Sequence, residues 1–147
     1  MAEDKLNGVI VLKNGDFDSN MNLTKSNLKN KVIILYYADW CGHCKRLKPA
    51  YNQLIEMSNN GKLDVSIAAV NADDNDGLME RMRGLGNKAE YDVRGFPSIV
   101  SYHNGKYYST YSYDNTQEGR EKFRTLSDII EYSNGIGTAP ITYVNRE

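Results

Sequence analysis

The sequence predicts an α/β fold, a central β-sheet of mixed strand direction with helices on both faces. Three observations carry this. Residues 32–38 (VIILYYA) and 65–70 (VSIAAV) are almost wholly apolar and read as strands buried on both faces, which requires cover above and below a sheet. Between them, Leu47, Tyr51, Leu54, Ile55 and Met57 recur near helical spacing with basic residues opposite, so strand, helix and strand make a βαβ unit. Farther on, Asn104-Gly105 separates two strand-like segments and is a two-residue hairpin signal, which adds antiparallel pairing to the parallel half.

Taken in order, residues 9–12 form a short apolar strand ended by Asn14-Gly15. Residues 18–30 carry Met21, Leu23 and Leu28 among polar residues and predict a modest helix. After the strand at 32–38, a helix runs from about 42 to 58, with a kink expected at Pro49 and a stop at Asn59-Asn60-Gly61. The strand at 65–70 is followed by Asp73-Asp74-Asn75-Asp76, suited to opening a helix through capping and the macrodipole. That helical region extends to Tyr91 and is interrupted at Gly84-Leu85-Gly86. Residues 98–103 and 106–111 form the hairpin, and 121–132, with Phe123, Leu126, Ile129 and Ile130, an amphipathic helix ended by Asn134-Gly135. The chain of 147 residues thus reads as one domain, residues 1–147, with its core at about 9–132 and a loose tail at 137–147.

Charge narrows the function. With 18 basic and 19 acidic residues the formal net charge is −1, so no long-range field favours nucleic acid or an anionic membrane. No apolar run approaches the roughly 20 residues that cross a bilayer. The opening MAEDKLNGVIVLKNGDF lacks the basic start and long apolar stretch of a signal peptide, and the closing VNRE is no retention signal. The compartment stays open: a secretory lumen for a trimmed chain, otherwise cytoplasm or another particle.

Only two cysteines occur, Cys41 and Cys44, separated by Gly42 and His43. They supply no disulfide framework, so stability must come from packing, which leaves the pair available for chemistry. Such a pair can bind metal, form a redox-active disulfide, or be inert and buried. A zinc site needs four ligands, and the two histidines His43 and His103 give a poor set, His43 being wedged between the cysteines. Haem attachment requires a histidine directly after the second cysteine, where Lys45 stands. The map instead puts Cys41 between a central strand and the start of a helix, where free amides and the dipole favour a thiolate. Cys44 lies one turn along, near enough to close a disulfide and more shielded. A protonated His43 would favour that thiolate, and hence the dithiol form, making the disulfide the stronger oxidant; Lys45 and Arg46 add positive potential.

The block Tyr37-Ala38-x-Trp40-Cys41-Gly42-His43-Cys44-Lys45-x-Leu47-x-Pro49 resembles the active site of protein disulfide isomerases, members of the thioredoxin superfamily. A second block, Tyr91-Asp92-Val93-Arg94-Gly95-Phe96-Pro97-Ser98, resembles the family segment that ends in a cis-proline facing the disulfide. The resemblance covers about residues 9–132 and implies the thioredoxin fold, with catalysis by Cys41, Cys44 and His43. It also implies substrate contacts at Trp40, Gly42, Phe96 and Pro97, with the backbone beside Pro97 pairing with an extended client. It implies no cofactor beyond the Cys41–Cys44 disulfide and no metal. The implied partners are cysteine-containing protein substrates and an external redox partner such as glutathione.

Two departures stand out. Where the family buries an acid that moves protons from the second cysteine, this chain has Leu35, and Ala69 occupies what resembles the place of its lysine partner. Losing both members is physically coherent, since keeping one would strand a buried charge. Arg124 matches either the family arginine that acts on the second cysteine or a solvated helix arginine. The segment 73–91 is longer than is usual in the family, with Arg81, Arg83, Gly84 and Gly86 in the extra part, and is either a surface insertion or a partner surface. The expected activity is thiol–disulfide exchange on protein disulfides, forming, reducing or isomerising them. The rivals are a general disulfide reductase and a non-catalytic module that holds clients.

Overall fold

The computed structural model describes residues 5–85, 95–111 and 125–138. Within them the chain forms β1 (Ile10–Val11), β2 (Lys31–Tyr37), α1 (Gly42–Asn59), β3 (Ser66–Asn71), α2 (Asp76–Leu85), β4 (Ser98–His103), β5 (Lys106–Thr110) and α3 (Leu126–Asn134). The strands make one five-stranded sheet in the order β1-β3-β2-β4-β5. β1, β3 and β2 run parallel, while β4 is antiparallel to both β2 and β5, so the sheet is mixed. β2 is central, and its alternation divides the core. Val32, Ile34 and Tyr36 enter one cluster with Leu78, Met79 and Met82 of α2. Ile33 and Leu35 enter the other with Leu47, Tyr51 and Leu54 of α1 and Ile129 of α3. Helices therefore cover both faces, and a strand apolar on both sides is the sequence consequence.

The hairpin follows from backbone chirality. Asn104 and Gly105 have φ of 55° and 85°, the left-handed pair that a tight two-residue turn requires. α3 begins later than residue 121, because Thr125 is extended and caps Leu126–Asn134 by accepting from the Asp128 amide at 3.3 Å. Residues 121–124 lie outside the described residues, as do 86–94 of the long 73–91 segment and 139–147 of the expected tail.

One expected element is absent. Residues 18–30 form turns rather than a helix. The Asp18 carboxylate accepts from the amides of Asn20 and Asn22, each at 2.9 Å, a local bond that competes with helical hydrogen bonding. These bonds hold the Asp18 carboxyl below its ordinary pKa. Met21 and Asn27 have φ of 64° and 67°, which no right-handed helix accommodates. Met21 and Leu23 are nonetheless buried, so their spacing reports contact with the core and not a helix face. Arg81 of α2 donates to the carbonyls of Asn14, Phe17 and Asp18. The arginine in the extended segment therefore fastens the turn at 14–18 onto α2.

The turn region is also tied to the sheet by Tyr102, fully buried in β4, whose hydroxyl donates to the Met21 carbonyl at 2.7 Å. Tyr102→Phe keeps the edge-to-face contact with Phe17 and leaves that carbonyl without its partner. The expected cost is about 1–3 kcal/mol, read as a lower urea midpoint with unchanged m-value.

Candidate active site

The parallel unit β2–α1–β3 brings the cysteines to the carboxyl edge of the central strand. β2 ends at Tyr37, the Cys41 amide donates to the Ala38 carbonyl at 3.2 Å, and α1 starts at Gly42. Cys41 is thus the N-cap. Its sulfur takes the position usually held by a serine or aspartate oxygen and accepts from the Cys44 amide at 3.2 Å. A helix amide aimed at sulfur stabilises negative charge there more than it stabilises a thiol. The same thiol donates toward the Phe96 carbonyl at 3.5 Å, the residue preceding Pro97. The Phe96–Pro97 bond is cis. Both cysteines are unbridged thiols; Cys41 is 6% exposed and Cys44 is fully buried.

Around them lies an apolar lip. Trp40 is 71% exposed, and its indole N–H donates to Asp73 at 3.2 Å while its ring meets Phe96 edge to face at 6.0 Å. The Asp39 amide donates to the other oxygen of Asp73 at 3.2 Å. An exposed tryptophan is therefore presented in one orientation. A side chain added at Gly42 would meet nothing within 4 Å, so the first turn of α1 is open on that side. Cys41, Cys44 and Ala38 form one small cluster against which Tyr37 and Phe96 pack. Trp40, Cys41, Gly42, Cys44, Phe96 and Pro97 thus come together, while Arg124 lies outside the described residues.

His43 is exposed, and its Nδ1 lies 2.7 Å from the Arg46 guanidinium one turn along. A guanidinium only donates, so Nδ1 accepts in this pair.

Cys44 is governed by burial. Desolvation first, and then the hydrogen bond with Cys41, push its thiol up to about 12, against opposing effects of the Ala38 backbone and Lys48. Leu35 and Ala69 are direct neighbours in the β2–β3 register, both buried and apolar. The residue that sequence reasoning missed is Lys48. It belongs to the basic set expected opposite the apolar face of α1, yet it is only 5% exposed. Its ammonium sits 4.8 Å from the centroid of the Tyr37 ring. The available signal was its spacing, four residues after Cys44, which places both on one face.

A closely spaced cysteine pair at a strand-to-helix junction, beside Pro97 on a five-stranded mixed sheet, defines a thioredoxin-type domain. The sequence profile of the thioredoxin family matches residues 8–127, and the chain belongs to that family. Its relatives include the protein disulfide-isomerase of Saccharomyces cerevisiae, 37% identical over 103 residues, covering 70% of this chain and 17% of that one. Protein disulfide-isomerase A3 of Gallus gallus is 36% identical over 124 residues, covering 84% of this chain and 20% of the relative. The chain therefore spans a fifth or less of the length of these two relatives. Among solved structures, the first thioredoxin domain of mouse protein disulfide-isomerase A4 superposes with a TM-score of 0.59 at 24% identity, covering 91% of this chain and 81% of that one.

Proposed function

We propose that this domain is a thiol–disulfide oxidoreductase acting on protein disulfides through Cys41 and Cys44. The observation that carries the reading is the Cys41 sulfur, seated as the N-cap of α1 between the Cys44 amide and the Phe96 carbonyl. The Cys41 thiolate attacks one sulfur of a substrate disulfide; a Cys41–substrate bond forms, the substrate bond breaks, and the second substrate sulfur leaves as a thiolate. Cys44 then gives up its proton to solvent and attacks Cys41, closing the Cys41–Cys44 disulfide and releasing the other substrate thiolate. The substrate is reduced by two electrons and the domain oxidised by two. Oxidation of a substrate dithiol runs these steps backward, and a small thiol couple such as glutathione resets the domain.

Trp40 and Phe96 offer the client an apolar lip, and the backbone at Phe96 and Pro97 offers an extended segment its hydrogen bonds. Gly42 leaves room for the incoming sulfur. His43 acts together with Arg46 as the polar, charged flank of Cys41. Burial of Cys44 disfavours its thiolate, which slows the second step at neutral pH. A mixed disulfide that lingers gives another thiol of the client time to resolve it, which favours isomerisation over net reduction.

The test is refolding of a scrambled disulfide substrate in glutathione buffer by the parent and by Cys44→Ala. Rearrangement of wrong disulfides is expected to survive in Cys44→Ala, while net oxidation of a reduced substrate disappears. Loss of both, or survival of both, overturns the mechanism.

A further inference from the structure

We propose that Lys48 is an internal cation that tunes the reactivity of Cys44. This rests on the exchange reading above and concerns a residue to which that reading assigns no part. Leu35 and Tyr37 are alternate residues of β2, and both pack into the cluster on the α1 side of the sheet. Position 35 and its β3 neighbour Ala69 are apolar. Tyr37 stands nearer the cysteines, packs against the Cys41–Cys44 cluster, and carries the Lys48 ammonium over its ring.

Lys48 follows Cys44 by four residues on α1, so helix geometry places the two side chains on one face. A lysine held almost wholly out of water acts on its neighbours with little solvent screening, unlike the exposed Lys45 and Arg46. It opposes the rise in Cys44 pKa that burial causes. Among the described residues, Asp39, which follows β2, Asp74, which follows β3, and Cys41 also face this spot; both carboxylates act on Tyr37. An apolar clamp on Tyr37 would need only the lysine stem. A cation beside Cys44 adds a specific consequence: it stabilises the thiolate that must form before attack.

The affected step is the closing of the internal disulfide. The Cys44 proton passes to solvent, the thiolate attacks Cys41 of a mixed disulfide, the Cys41–Cys44 bond forms, and the departing thiolate carries away the electron pair of the broken bond. Lys48 neither gains nor loses a proton in this account and acts as a positioning charge.

Ellman's reagent separates the two steps. Reduced protein attacks it through Cys41 in a concentration-dependent phase, and Cys44 then releases a second coloured thiolate in a concentration-independent phase. In Lys48→Met, a roughly tenfold loss of Cys44 thiolate would be partly offset by about a threefold gain in its intrinsic nucleophilicity. The second phase should therefore slow about threefold at pH 7, with its pH profile displaced upward, while Lys48→Arg retains the parent profile. Superimposable profiles of the parent and Lys48→Met overturn the inference. So does Lys48→Arg slowing as much as Lys48→Met, which would assign the effect to shape. If Lys48→Met does not fold, Lys48→Gln takes its place with the same expectations. Absence of a concentration-independent phase in the parent would overturn the exchange reading itself and this inference with it.

Discussion

Cys41→Ser is expected to lose substrate exchange down to the rate of the buffer alone, with the fold intact. The hydroxyl keeps the N-cap geometry, since serine is a preferred N-cap and can accept from the Cys44 amide, where Cys41 accepts at 3.2 Å. It also keeps a donor for the Phe96 carbonyl. What it removes is the sulfur that must form the mixed disulfide, and no other thiol is placed to substitute. Cys44 is fully buried, and its thiol is pushed up to about 12, so at neutral pH almost none of it is thiolate. The unfolding free energy should change by less than about 1 kcal/mol, within the range of a cap exchange. Insulin reduction and scrambled-substrate refolding read the activity, and urea unfolding reads the stability. Insulin reduction that survives in Cys41→Ser would overturn the assignment of the attacking sulfur to Cys41.

How much of this was legible depends on whether a feature is local. The central strands, α1 and the hairpin were readable because a two-sided apolar run, a helical repeat and an Asn-Gly pair each dictate their structure within a few residues. The 18–30 segment was not. Met21 and Leu23 keep a spacing that a helix would also give, while the side-chain bonds of Asp18 and the left-handed Met21 and Asn27 decide the outcome. The cysteine pair was readable as chemistry, and its N-cap placement followed from the strand before it and the helix after it. The cis bond at Pro97 has no local sequence signature and came only from the resemblance.

Lys48 shows a different limit. A lysine beside the apolar stripe of a helix reads as solvated, because its charge prefers water. A long apolar stem can nonetheless lie along a surface such as the Tyr37 ring and bring the ammonium inside. Only the packing of α1 on β2 reveals which of these occurs. His43 is a similar case: its contact with Arg46, three residues on, is a matter of rotamers.

The second large effect concerns Leu35. Leu35→Glu is expected to cost about 3–5 kcal/mol at pH 7, because it removes a fully buried leucine and puts a carboxyl among Leu47, Tyr51 and Leu54. Burial raises the folded-state pKa of this Glu above its unfolded value of about 4.3, so the native state binds more protons between the two values. The ionisation penalty is therefore absent below about pH 4 and grows as pH rises toward the folded pKa. Urea unfolding at pH 4 and pH 7 should show the larger loss at pH 7. Equal losses would mean that the new carboxyl reaches water. Adding Ala69→Lys, its direct β3 neighbour, should recover part of the loss at pH 7, with a coupling of about 0.5–3 kcal/mol in the double-mutant cycle. Stability and chemistry should then move in opposite directions. A carboxylate one strand position pair below Tyr37 gives the Cys44 proton an internal acceptor, so the concentration-independent phase with Ellman's reagent should quicken in Leu35→Glu even as the fold weakens. A slower phase in a folded Leu35→Glu would mean that the added negative charge opposes the Cys44 thiolate more than the acceptor assists it, and that Leu35 favours the chemistry of this site as it stands.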